Sequence, residues 1–157
     1  MVVIKKIRLY LETTVFNYYF DADRDGHYDT VRMFEAIGAG EYEAYTSEYV
    51  MIELRDAKDP KKSNMLGLTE KYSITILDID AESERMTDLY IKNGVIPANY
   101  RIDASHIASA SVHELDCILS FNYNHINKLK TKRMTENINL LEGYKGITIC
   151  TPMEVLN

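Results

Sequence analysis

Glu12, Glu53 and Asp103 are widely spaced in the sequence, yet Glu12 stands at a strand end, Glu53 in the helix that follows a strand, and Asp103 at the start of a helix that leads into one. Ser120 and Asn122 stand just past a further apolar run, Cys117-Ile118-Leu119. Carboxylates gathered within a few ångströms push one another's pKa up, so such a group holds either a proton or a divalent cation. Oxygen donors with no Cys or His among them select a hard ion, Mg2+ or Mn2+, over zinc. An ion held that way keeps positions open for phosphate oxygens. The chemistry to expect is phosphodiester hydrolysis with water as nucleophile and no covalent intermediate. Each residue also has a plainer reading. Asp103 at a helix start is favoured by the dipole and serves equally as a cap. Glu53 alone reads as a solvated helical glutamate, and Ser120 and Asn122 as turn residues.

The elements that must position these side chains follow from the apolar pattern. Ile7–Leu11, Glu43–Ser47, Tyr72–Leu77, Cys117–Ser120 and Gly146–Cys150 are β-prone runs. Between them, helical spacing predicts a helix over Asp29–Ile37 stopping at Gly38. A second starts after Ser47, a third at Asp59-Pro60, and a fourth runs from Asp80 to Asn93-Gly94. A fifth spans Asp103–Leu115 and is rich in small residues. Pro152–Leu156 is a final helical turn, and residues 124–144 read as loop with short helical pieces. Strands alternating with helices predict a three-layer α/β/α fold with a mostly parallel central sheet of about five strands. In such folds working residues gather at the carboxyl ends of the strands, where all five candidates lie.

Composition narrows the alternatives. The 157 residues carry 18 basic and 24 acidic side chains, a net charge of −6, and no linker or repeat divides them, so one domain over 1–157 is expected. An acidic chain is a poor non-specific nucleic-acid binder and would need a local device, such as a metal. No apolar run is long enough to cross a membrane, and the charges in Met1–Arg8 do not suit a secretory leader. Cys117 and Cys150 are isolated in apolar stretches and read as reduced thiols of a cytoplasmic protein. Lys128, Lys130, Lys132 and Arg133 form the one basic run. It would suit RNA phosphates, and it would equally suit a solvated loop. His106 reads as a packed or surface histidine, or as a partner of Asp103 one turn away. Phe16, Tyr18 and Tyr19 suit stacking on bases, a core or a dimer surface.

Four segments carry a family resemblance. Tyr10-Leu11-Glu12-Thr13-Thr14-Val15-Phe16-Asn17 resembles the opening motif of PIN domains, and Ile52-Glu53-Leu54 their second acidic site. Asp103-Ala104-Ser105-His106-Ile107-Ala108 resembles the third, and the strand end Ile118-Leu119-Ser120-Phe121-Asn122 the fourth. The resemblance implies a metal-dependent endoribonuclease of a family that includes VapC-type toxins with antitoxin partners, pairing as a homodimer. It makes Glu12, Glu53 and Asp103 the Mg2+ or Mn2+ ligands, and gives Asn122 the task of fixing a water or a phosphate. Thr14 and Ser120 would have supporting roles, with Lys130, Lys132 and Arg133 as contacts to RNA. Two departures stand out: Glu12 where most of the family has Asp, and Asn122 where many members have a carboxylate. Three formal charges should hold one divalent ion readily and a second weakly. The same departures motivate the alternative of an inactive protein- or RNA-binding module. A phosphatase would need an aspartyl nucleophile at a strand end, for which Glu12 is a poor substitute.

Overall fold

A computed structural model describes residues 5–156. Part of the charged N-terminal segment, residues 1–4, lies outside that range. Five strands form one all-parallel sheet: β1 (Arg8–Leu11), β2 (Glu43–Ser47), β3 (Thr75–Leu77), β4 (Cys117–Leu119) and β5 (Thr148–Cys150), in the order β3-β2-β1-β4-β5. The first two helices are α1 (Thr13–Phe20) and α2 (His27–Gly38), followed by α3 (Glu48–Arg55), α4 (Lys61–Lys71) and α5 (Ala81–Lys92). A 3₁₀ turn (Ala98–Tyr100) leads into α6 (Arg101–Val112), and α7 (Leu129–Leu141) and α8 (Pro152–Val155) complete the chain. Successive strand residues point to opposite faces, and Leu9, Tyr10 and Leu11 of the central strand are all fully buried. Both faces of the sheet are therefore covered, which makes the three layers α/β/α.

Local chemistry explains most element ends. Asp80 and Ser83 form a reciprocal capping box at the start of α5, and Gly94, at φ +75°, turns the chain after its end. The Asp59 carboxylate accepts the Ser63 amide and hydroxyl ahead of α4, as the Asp-Pro signal implies. β3 is shorter than expected. Tyr72 to Ile74 close the end of α4, with the Tyr72 amide on the Leu68 carbonyl and the Ile74 amide on the Thr69 carbonyl.

The clearest difference from expectation is α7, one 13-residue helix within the stretch read as loop with short helical pieces. Its inward residues Thr131, Thr135, Ile138 and Asn139 have helical spacing, but three are polar, while Leu129, Leu140 and Leu141 face solvent. Hydrophobic periodicity could not reveal a stripe of that kind. What holds α7 is a buried polar knot. The Tyr90 hydroxyl of α5 donates to the Asn139 carbonyl oxygen, and the Asn139 amide donates to Ser111 Oγ of α6 at 2.8 Å. Asn139→Ala should leave Tyr90 and Ser111 with only their mutual 3.3 Å contact and lower unfolding stability by about 2 kcal/mol. Equilibrium urea unfolding measures this, and a loss under about 0.5 kcal/mol, as for a surface change, would show that the knot does not hold α7.

Candidate metal centre

The strand order reverses between β1 and β4: β2 and β3 lie to one side of β1, and β4 and β5 to the other. Ligands bind at the carboxyl side of such a switch point. Here Glu12 leaves β1 and Ser120 leaves β4. The Ser120 hydroxyl donates to Glu12 Oε1 at 2.6 Å, and the Glu12 amide donates to the Leu119 carbonyl. Glu12 occupies the N-cap position of α1 yet caps nothing; its side chain turns inward and is 2% exposed. Thr14 Oγ1 also donates to Glu12 Oε1 at 2.6 Å, and accepts the Phe121 amide at 2.8 Å. That residue pins α1 to the end of β4.

Glu53 arrives from α3. Its Oε1 accepts Thr13 Oγ1 at 2.6 Å and lies 2.6 Å from His106 Nε2. His106 is fully buried on α6. Its Nδ1 meets the Tyr10 hydroxyl at 2.8 Å, and that hydroxyl meets Ser47 Oγ at 2.6 Å. Ser47 thus holds an N-cap position while its hydroxyl serves the site. Ligand atoms of Glu12, Glu53 and His106 all lie within 4.8 Å of one another. Asp103 is buried in the first turn of α6 and is not its cap, a position Tyr100 takes. It stands outside that tight triple but within electrostatic reach of Glu53 and His106, with Asn122 as its hydrogen-bond partner.

Charge sorts these groups. Burial drives the Glu12 carboxyl up, only partly opposed by His106, Ser120 and Thr14, and Glu53 adds to the rise. Burial likewise raises Asp103, against His106 and Asn122. Glu53 goes the other way: burial opposes its ionisation, but the His106 contact and charge, with the Thr13 hydroxyl, lower it. Burial disfavours the His106 cation, yet Glu53, then Glu12 and Asp103, raise its pKa overall. The surrounding carboxylates therefore favour the protonated form of His106, the group placed to act as their internal counter-charge.

The donor set fits a hard cation. On each glutamate Oε1 is saturated by two donors, and Oε2 has no protein donor among the described residues. Both ring nitrogens of His106 are engaged, by Glu53 and Tyr10, so the imidazole serves better to orient Glu53 than to bind an ion itself.

The structure thus brings Glu12, Glu53, Asp103, Asn122, Thr14 and Ser120 to one place. Thr13 and His106 belong with them. The tandem Thr13-Thr14 was a signal for the first, and the i, i+3 spacing from Asp103 for the second. Lys130 and Arg133 are exposed on α7. Lys132 lines a separate cavity of about 590 Å³ with Cys117, Cys150 and Glu136. None of the three pairs with the site carboxylates among the described residues. Both cysteines are free thiols.

An all-parallel α/β/α sheet with converging carboxylates at its switch point defines a fold class with an acidic centre. Within that class the chain belongs to the PIN domain family, whose model matches residues 9–131. Among solved structures it is similar to VapC20 of Mycobacterium tuberculosis, a sarcin-ricin loop cleaving toxin. Identity is 13%, the match covers 74% of this chain and 92% of that one, and the TM-score is 0.59. It is also similar to VapBC2 of Rickettsia felis, bound to a DNA fragment from its promoter, at 13% identity, 91% and 97% coverage and a TM-score of 0.55. No curated protein matches the chain in sequence. Among the described residues, no helix is long and apolar enough to cross a membrane.

Proposed function

We propose that this protein is a divalent-metal-dependent endoribonuclease that hydrolyses RNA phosphodiester bonds as the toxin of a toxin–antitoxin pair. One observation carries the reading: Glu12 and Glu53 each spend one oxygen on two fixed donors and leave the other free, beside Asp103. Glu12, Glu53 and Asp103 would hold Mg2+ or Mn2+, which when bound supplies charge neutralisation for a scissile phosphate and an acidified water. Thr14 and Ser120 hold Glu12 in place, and Thr13 and His106 do the same for Glu53. Asn122 steadies Asp103, since its own Oδ1 is occupied by the His125 amide at 3.1 Å. Lys130, Lys132 and Arg133 on α7 offer charge to the RNA backbone beyond the carboxylates.

The similarity to a toxin and to a toxin–antitoxin complex supports an antitoxin partner that covers the acidic pocket with a basic or aromatic side chain. Homodimeric pairing and a cytoplasmic setting belong to the same proposal. The test is direct. Purified protein with Mn2+ should cut a labelled single-stranded RNA; EDTA should stop it, and excess Mn2+ should restore it. Mn2+ titration by calorimetry reads the centre without RNA. Failure of both cleavage and binding would leave an inert interaction module.

A further inference from the structure

Beside the acidic pocket, the rings of Tyr100 and His125 are stacked, with centroids 4.0 Å apart and planes 29° apart. Tyr100 stands three residues before Asp103 at the entry to α6 and is 44% exposed. His125 lies in the loop between β4 and α7, within electrostatic reach of Asp103. That loop is fastened at several points. Asn122 Oδ1 accepts the His125 amide at 3.1 Å, Thr131 Oγ1 donates to the His125 carbonyl at 2.5 Å, and the Asn127 amide donates to the Ser120 carbonyl at 3.0 Å. The Ser120 hydroxyl accepts the Asn122 amide at 3.0 Å while donating to Glu12. A continuous run of hydrogen bonds therefore fixes the ring pair relative to the carboxylates.

A chain of net charge −6 gathers little RNA by counterion release, so contacts indifferent to charge count for more. A base stacks on an aromatic face whatever its sequence, provided the base is unpaired. His125 covers one face of Tyr100 and stiffens it, and the ring's exposed part is left for a third plane. We propose that Tyr100, backed by His125, is the stacking platform for an unpaired base of single-stranded RNA whose phosphate lies at the carboxylates. The inference rests on the ribonuclease reading and adds to it a substrate contact and a substrate class, RNA with unstacked bases.

The sequence contains no Trp, so Tyr100→Trp introduces a single indole as reporter. Binding is read by anisotropy with a labelled single-stranded RNA of roughly ten nucleotides, in EDTA at low salt so that the strand survives. Cleavage by the same proteins is read with Mn2+. Tyr100→Ala should bind about tenfold more weakly, a stacking-sized loss, and raise KM with kcat little changed. Indole emission should fall on adding RNA, and an abasic strand of the same length should neither quench it nor distinguish wild type from Tyr100→Ala. Circular dichroism of Tyr100→Ala should match that of the wild type, which separates lost stacking from lost folding. Unchanged KM and affinity in Tyr100→Ala, with no quenching in Tyr100→Trp, overturn the platform while wild-type cleavage keeps the ribonuclease reading. A wild type that neither binds nor cuts RNA overturns both.

Discussion

Asp103→Asn should abolish metal-dependent RNA cleavage and, at neutral pH, make the metal-free protein more stable. The opposite signs follow from the proposed function, in which the carboxylate serves the ion and not the fold. Among the described residues no Lys or Arg pairs with Asp103; His106, which is engaged by Glu53, with Asn122 and His125 only partly offset the burial that raises its pKa. The folded state therefore binds the Asp103 proton more tightly than the unfolded chain does. The penalty is absent below the unfolded carboxylate range and fully developed once pH exceeds the raised folded value. Asn removes the charge at nearly constant shape, so the urea midpoint at pH 7 should rise and its increase with falling pH should shrink. Loss of one anionic ligand from a three-carboxylate centre should cost at least a hundredfold in turnover, on the order of removing a pre-organised electrostatic group. Unchanged cleavage would mean that a contaminating nuclease was being measured. A drop in stability would make Asp103 a structural residue of α6.

The parts of this fold visible in the sequence are those where burial and hydrophobicity coincide. Leu9-Tyr10-Leu11 and Cys117-Ile118-Leu119 form near-continuous apolar runs because both faces of a parallel strand are covered. Each carboxylate could then be placed at a strand or helix end. What stayed hidden depends on which polar group meets which. In the α7 stripe Asn139 packs through hydrogen bonds to Tyr90 and Ser111, Thr131 donates to the His125 carbonyl, and the Thr135 hydroxyl is buried with no partner among the described residues, so no apolar periodicity marked it. His106 is fully buried in a small-residue helix with no apolar asymmetry to show which side faces the sheet. Its link to Glu53 spans 53 positions and exists only after folding. Glu12 is one methylene longer than the family's usual Asp, and the structure compensates with two hydroxyls, from Thr14 and Ser120, that anchor one oxygen. Only Thr14 is close enough in sequence to suggest that.

His106 is the residue whose loss should disturb the metal-free fold most. It is fully buried, 2.6 Å from Glu53, and held on its other nitrogen by Tyr10. His106→Ala would remove the group whose protonated form balances Glu12, Glu53 and Asp103, and leave Glu53 with only the Thr13 hydroxyl. Breaking a fully buried pair by deleting one partner costs about 3–5 kcal/mol because the remaining charge stays uncompensated; with the Glu53 side chain 29% exposed, water screening brings the expected loss nearer about 2 kcal/mol. The sign with pH follows from the raised pKa of His106. Its stabilisation is complete below the unfolded histidine value of about 6.5 and is lost as pH rises through the higher folded value, so the wild-type and variant urea midpoints should converge at alkaline pH. Mn2+ should rescue His106→Ala by a larger shift than it gives the wild type, since an ion among the same oxygens takes over the balancing charge. Equal Mn2+ shifts in both proteins would show that imidazolium and ion do not share one electrostatic task. A loss of under about 1 kcal/mol, within the range of an exposed pair, would show that the His106–Glu53 contact is screened by water.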